Sequence, residues 1–128
     1  MKDARDLKGK TGLTRLINAT RYSMDGIRRA WRTEEAFRQE SAAAVILIPA
    51  AFFLPVPLSL TLWCVFSLAF LLVTELLNSG IEAAIDRIGP EIHPLSKYAK
   101  DAGSAAVLFA LCFTAVTWLS VILSILLA

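Results

Sequence analysis

Most of the polar chemistry this sequence can offer lies on one face of one helix: Glu75, Asn78, Glu82 and Asp86. At about 100° per residue these four side chains share an arc about 80° wide. Ser79 adjoins the arc, and Leu76, Leu77, Ile81 and Ile85 occupy the other side. Glu75 falls inside an apolar run, where a carboxylate costs a few kcal/mol or more and faces protein or water rather than lipid. Polar contacts between helices would suit Asn78 and Ser79. They suit three acids less well, because like charges one and two turns apart repel. A divalent cation resolves the repulsion. Mg2+ takes one or two carboxylates, phosphate oxygens and several waters, a combination that implies a nucleotide. Lys100, Arg15, Arg28, Arg29 and Arg32 lie near the same level and can hold phosphates, or equally the headgroups of anionic membrane lipids. The chain has no GxxxxGK[ST], no GxGxxG and no HRD or DFG set. No Cys, Ser or His is placed for covalent catalysis, and His93, the one histidine, reads as a loop bystander. The chemistry left is in-line transfer of a phosphoryl group, supported by metal, cations and one carboxylate base.

The elements that must position these groups are helices in a membrane. The chain has 128 residues, 56% of them hydrophobic, and a mean hydropathy of +0.60. One domain, residues 1–128, is expected. No Asp, Glu, Lys or Arg occurs from Ser41 to Thr74 or from Ala102 to Ala128. About 20 apolar residues cross a bilayer as a helix, so the first gap suits two spans and the second suits one. The reading is an all-α membrane protein with a surface helix and three spans. Residues 1–12 are expected to be a frayed, flexible start, residues 13–32 an interfacial amphipathic helix with apolar Leu13, Leu16, Ile17, Met24, Ile27 and Trp31 on one side. The first span is 34–54, with Thr33 as its N-cap, Pro49 kinking it and Pro55 and Pro57 ending it. The second span with its cytoplasmic extension is 58–88, closed by Gly89-Pro90, and the third is 95–127. Of the thirteen Lys and Arg, ten lie at or before Arg38 and three between the second and third spans, at Arg87, Lys97 and Lys100. That asymmetry predicts a cytoplasmic amino terminus and an external carboxyl terminus. The net charge of +2 does not suggest nucleic acid. Cys64 and Cys112 form no disulfide or metal pattern. No signal peptide is expected, since the first long apolar stretch begins after forty charged or mixed residues.

Three islands of sequence carry a family resemblance. Glu75-Leu76-Leu77-Asn78-Ser79-Gly80-Ile81-Glu82 resembles the signature of the small prokaryotic diacylglycerol kinases. So do Ala30 to Glu40 (Ala30-Trp31-Arg32-Thr33-Glu34-Glu35-Ala36-Phe37-Arg38-Gln39-Glu40) and Lys100-Asp101-Ala102-Gly103-Ser104-Ala105-Ala106. The resemblance extends over nearly all the chain from Gly12. It implies a homotrimeric helical bundle in the bacterial cytoplasmic (inner) membrane, with active sites shared between chains. It also implies transfer of the γ-phosphate of MgATP to diacylglycerol, giving phosphatidic acid. Glu75 matches the general base, and Glu34 and Glu82 the pair that holds the metal. Arg15, Tyr22, Glu34, Asn78, Glu82, Asp86, Lys100 and Asp101 match nucleotide positions, with Glu91, Ile92 and His93 near the adenine end. Arg15, Arg28, Arg29, Ala30, Trp31, Ala36, Phe37, Arg38, Gln39, Glu40, Glu75 and Ser104 match positions around the lipid. The one departure is Gly80, where the family commonly has Ala.

Two other readings compete. Undecaprenol kinase shares the signature and differs in its lipid. A non-enzymatic cation-binding or channel-like assembly would line a pore with the same acids and turn over no ATP.

Overall fold

The computed structural model describes residues 11–128, and every regular element among them is a helix: α1 (Gly12–Thr33), α2 (Glu35–Ala51), α3 (Leu58–Ile88) and α4 (Pro94–Leu126). The expected flexible start lies outside the described residues except for Thr11 and Gly12, and Gly12 already opens α1, at φ 63°.

The amphipathic α1 keeps its apolar side open, with Leu13, Leu16, Ile17 and Trp31 all exposed. An apolar stripe left uncovered beside a basic face is the layout of a helix lying in a membrane interface. Between α1 and α2 the chain needs a single residue, Glu34, in extended backbone at φ −113° and ψ 108°. The sequence pointed to Thr33 as the cap of the second helix. Instead, Thr33 completes α1 and its hydroxyl donates to the Arg29 carbonyl at 2.9 Å. Glu34 takes the cap position without a side-chain capping bond, because its carboxylate is engaged across the fold. The Arg38 guanidinium closes the elbow by donating to the carbonyls of Trp31 at 2.9 Å and Arg32 at 3.1 Å. Those carbonyls belong to the last turn of α1, which has no helical donors left to satisfy them.

The helix α2 is shorter than the 34–54 segment expected of it. Phe52, Phe53 and Leu54 bond back to Pro49, Ala50 and Ala51 in three-residue steps, the tightening that often ends a helix. Pro55 explains the stop, since its ring disfavours helical backbone at Leu54. At 17 residues, α2 rises about 25 Å at 1.5 Å per residue. By length and apolar composition α3, with 31 residues, and α4, with 33, are each long and apolar enough to cross a membrane.

The longest interface in the fold runs between α3 and α4, followed by that between α2 and α3. The buried positions of α3 are Thr61, Cys64, Ser67, Leu68, Leu71, Thr74 and Glu75. Their three- and four-residue steps trace one face of the helix. Asn78, Glu82 and Asp86 continue the same face beyond Glu75. The stripe that packs against neighbouring helices in the apolar half therefore becomes the acidic stripe in the polar half. Far from the acids, Ala51, Cys64 and Val121 form a small core ringed by Leu54, Val56, Leu60, Val65, Trp118 and Ile125. Hydroxyl bonds hold the helices in register. Thr61 donates to the Ala51 carbonyl at 3.2 Å, tying α3 to the end of α2. The Thr114 hydroxyl of α4 lies 3.1 Å from the Ser67 carbonyl of α3. Small polar residues of this kind let apolar helices approach closely and supply directional contacts.

Candidate functional site

Where α1 and α3 diverge near the end of the acidic stripe, they enclose an open cleft of about 900 Å3. Glu34 enters it from the α1–α2 elbow, and Glu82 and Asp86 from α3. Arg29 and Arg87 supply positive charge, and Ala30 and Ala83 part of the walls. The one-residue elbow explains the presence of Glu34. Extended backbone there turns its side chain towards α3, and the Ser79 hydroxyl donates to Glu34 Oε1 at 3.2 Å. One turn along α3 the Asn78 amide donates to Glu82 Oε1 at 3.3 Å. Each acid is thus oriented by one neighbour through a single oxygen, and no described hydrogen bond uses its second oxygen.

This donor set bears on which metal could bind. No group of three or more Asp, Glu, His or Cys side chains converges among the described residues, so no protein cage for a cation exists there. Two carboxylates from different elements do meet in the cleft. Mg2+ is held through one or two carboxylates, with phosphate oxygens and water completing its shell. Glu34 and Glu82 fit an ion that arrives with a phosphate ligand.

Around the cleft the other expected residues divide. At its edge, Lys100 of α4 donates to Asp86 Oδ1 at 2.6 Å, and Lys97 pairs with Asp101. The Lys100 and Asp86 side chains remain 44% and 66% exposed, so the pair is weakly held and exchange for a phosphate is cheap. Glu91, Ile92 and His93 form an exposed connection from α3 to α4. His93 has a structural part there: its Nδ1 accepts the Leu95 amide at 3.1 Å and caps α4. Arg15, Tyr22 and Arg28 lie on exposed α1 positions, Arg28 bonded to Asp25 at 3.4 Å. Trp31, Ala36, Gln39 and Ser104 are also exposed, while Ala30 and Phe37 are buried. Arg38, expected near lipid, spends its donors on the elbow.

Glu75 and Glu40 do not line the cleft. Glu75 is 9% exposed on the buried stripe of α3, and the Glu40 carboxyl of α2 lies within hydrogen-bonding reach of it.

Two features, one in the cleft and one beside Asn78, are not legible in the sequence. Ser23 and Gly26 of α1 line the cleft, and neither is among the expected site residues. No sequence signal marks the position: only in the structure do Gly26 and Gly80 have open space where a Cβ would stand and line the same void. Gly103 belongs to the Lys100 to Ala106 island, with no role of its own expected. Its particular neighbour is Asn78, whose Oδ1 occupies the place a Cβ at Gly103 would take.

The chain was compared with known proteins. The family model described as prokaryotic diacylglycerol kinase matches residues 21–122. A protein of Pseudomonas aeruginosa named diacylglycerol kinase is 49% identical over 116 residues, covering 91% of this chain and 94% of that protein. The diacylglycerol kinase of Haemophilus influenzae is 47% identical over 108 residues, covering 84% of this chain and 92% of the relative. The one from Helicobacter pylori is 43% identical over 111 residues, covering 84% of each chain. The family match takes in the acidic stripe, the elbow and the start of α4, and leaves out Arg15.

Proposed function

Because the chain belongs to the prokaryotic diacylglycerol kinase family, and is therefore a lipid kinase, we propose that it transfers the γ-phosphoryl group of MgATP to the hydroxyl of diacylglycerol. The product is phosphatidic acid, formed at the cytoplasmic face of a bacterial inner membrane. One observation carries the reading beyond the family: Glu34 and Glu82, 48 positions apart, meet in one cleft at the polar end of a membrane-length helix. A phosphate donor from water and a hydroxyl from the bilayer meet at that level and nowhere else along α3.

Each residue then has a task that follows from its place. Glu34 and Glu82 hold the Mg2+ that accompanies ATP, each steadied by Ser79 or Asn78. That ion, when bound, neutralises charge on the transferring phosphoryl group. Arg15, Lys100 and the polar Tyr22, Asp86 and Asp101 orient the nucleotide, with Glu91 to His93 towards its base. Arg28, Arg29, Trp31 and Ser104, with Ala30 and the Ala36 to Glu40 turn, position the lipid. Glu75, deepest of the acids, takes the proton of the lipid hydroxyl as that oxygen attacks phosphorus. General base catalysis of this kind supplies about 100- to 10,000-fold.

The reading also includes topology and assembly. The apolar part of α2, from Ser41, with the turn to Leu54, serves as the first span, and α3 and α4 as the second and third. The amino terminus is cytoplasmic and the carboxyl terminus external, by the Lys and Arg distribution. The chain works as a homotrimer whose neighbours complete each site. Large apolar side chains of α3 and α4, including Trp63, Phe66, Phe109 and Leu119, remain exposed in the single chain. That surface suits both partner helices and lipid.

Incubating purified protein with labelled ATP and Mg2+, with diacylglycerol or undecaprenol presented separately, tests the reading. Labelled phosphatidic acid is expected from the first lipid. Product from undecaprenol alone would move the assignment to that lipid, and absence of any ATP turnover would remove the kinase reading.

A further inference from the structure

The seam between α2 and α3 holds two carboxyl groups without a cation. Glu75 is buried on α3, and the Glu40 carboxyl reaches it from α2. One Glu40 oxygen, Oε2, is buried and accepts no hydrogen bond from any donor. Several charged groups of the surrounding elements are committed elsewhere, while Arg29 of α1 and Arg87 of α3 line the cleft, which neither Glu40 nor Glu75 enters. Arg38 of α2 binds the end of α1, and Arg28 of α1 binds Asp25. On α4, Lys97 pairs with Asp101 and Lys100 with Asp86 of α3. Glu34 receives Ser79, and Glu82 receives Asn78. Among the described residues no ion pair reaches Glu40 or Glu75.

An ionised carboxylate only accepts hydrogen bonds, so two in contact cannot bond unless one carries a proton. Close like charges away from water do not both ionise, and such pairs titrate as a unit. The unpartnered Glu40 Oε2 makes full ionisation of Glu40 dearer still.

We propose that Glu40 and Glu75 hold one proton between them, Glu40 being the protonated positioning residue that orients the Glu75 carboxylate. This rests on the reading of Glu75 as the base. In the resting pair the Glu40 hydroxyl donates to one oxygen of Glu75, which leaves the other free for the lipid hydroxyl. During transfer the lipid oxygen forms its bond to the γ-phosphorus and the bond from that phosphorus to the ADP oxygen breaks. The O–H bond of the lipid breaks as well, and its proton passes to Glu75. The pair then carries two protons and returns one to water after the products leave. Sharing also means that the apolar seam holds one negative charge rather than two.

Infrared spectroscopy of the purified protein in lipid bilayers at neutral pH, read beside turnover, tests this. The wild type is expected to show a carbonyl band of a protonated carboxylic acid that shifts in D2O. Glu40→Gln and Glu75→Gln should each lose the band, because the remaining carboxyl ionises and accepts from the amide. Glu40→Gln, whose N–H replaces the donating O–H, should turn over at least tenfold faster than Glu40→Ala, which has no donor. A wild type without the band, a band surviving in both glutamine variants, or equal turnover in Glu40→Gln and Glu40→Ala would overturn the shared proton. The wild-type spectrum decides even if one variant misfolds. If the band behaves as stated but Glu75→Gln keeps full turnover, the pair stands and the assignment of Glu75 as base fails.

Discussion

Replacing Gly103 by Ala probes how α4 reaches the acids proposed to hold the metal without touching them. The added methyl would overlap Asn78 Oδ1 and come within 3.2 Å of Asn78 Cγ. Both atoms belong to a rotatable side chain, so the amide swings aside and the helices keep their spacing. The α4 backbone gains rather than loses, since Ala is better than Gly in a helix by about 0.5–1 kcal/mol. What is lost is the Asn78 bond to Glu82 Oε1, 3.3 Å long and only partly buried. A hydrogen bond to a charged group is worth about 1.5–3 kcal/mol, and its length and hydration place this one at the lower end, about 1.5 kcal/mol. At 1.4 kcal/mol per decade, MgATP affinity should weaken by about tenfold. Isothermal titration with MgATP on the purified protein, beside a thermal unfolding scan, measures both halves. A double-mutant cycle with Asn78→Ala isolates the mechanism, because Gly103→Ala should add almost nothing once the Asn78 side chain is gone. Gly103→Ala binding MgATP as tightly as wild type would refute the reasoning. A tenfold loss that persists unchanged in the Asn78→Ala background would refute the route through Asn78.

Four further outcomes follow from the same geometry. Glu34→Ala and Glu82→Ala should each weaken Mg2+-dependent nucleotide binding and leave the helical circular dichroism intact; normal MgATP affinity in both would remove the metal pair. Glu75→Gln, nearly isosteric, should keep nucleotide affinity while turnover falls about 100- to 10,000-fold; retained turnover would end its role as base. His93→Ala removes the side-chain cap of α4 and should cost about 0.5–1.5 kcal/mol of stability, visible as a lower unfolding midpoint; an unchanged midpoint would remove the capping role. Cysteine scanning in a Cys112→Ser background should label Asp3→Cys from the cytoplasmic side and Val56→Cys from outside, and labelling of Val56→Cys from inside would overturn the orientation.

Much of the plan is legible in local pattern. Charge-free runs set where membrane helices lie, and the 3.6-residue period places Glu75, Asn78, Glu82 and Asp86 on one face whatever surrounds them. The uneven distribution of Lys and Arg supports the proposed orientation. Pro55 and Gly89-Pro90 mark helix ends within a few residues because backbone sterics act locally. These properties depend on neighbours a turn or less away, which a sequence states directly.

What the chain alone leaves open is which faces meet, and tertiary structure decided that. Thr33 and Glu34 are both plausible caps by local chemistry. Glu34 takes the elbow, where its carboxylate accepts the hydroxyl of Ser79, 45 positions away. Glu40 reads as one more charge at the edge of a span until α2 packs on α3 and sets it against Glu75. Gly103 has the look of general small-residue packing until α4 brings it onto Asn78. Helical periodicity fixes the angle of a residue around its own axis and says nothing of the axis beside it. That second angle comes from how side chains interlock along the whole interface, and it turned separate acids into an elbow-and-stripe cleft and a carboxyl pair at the α2–α3 seam.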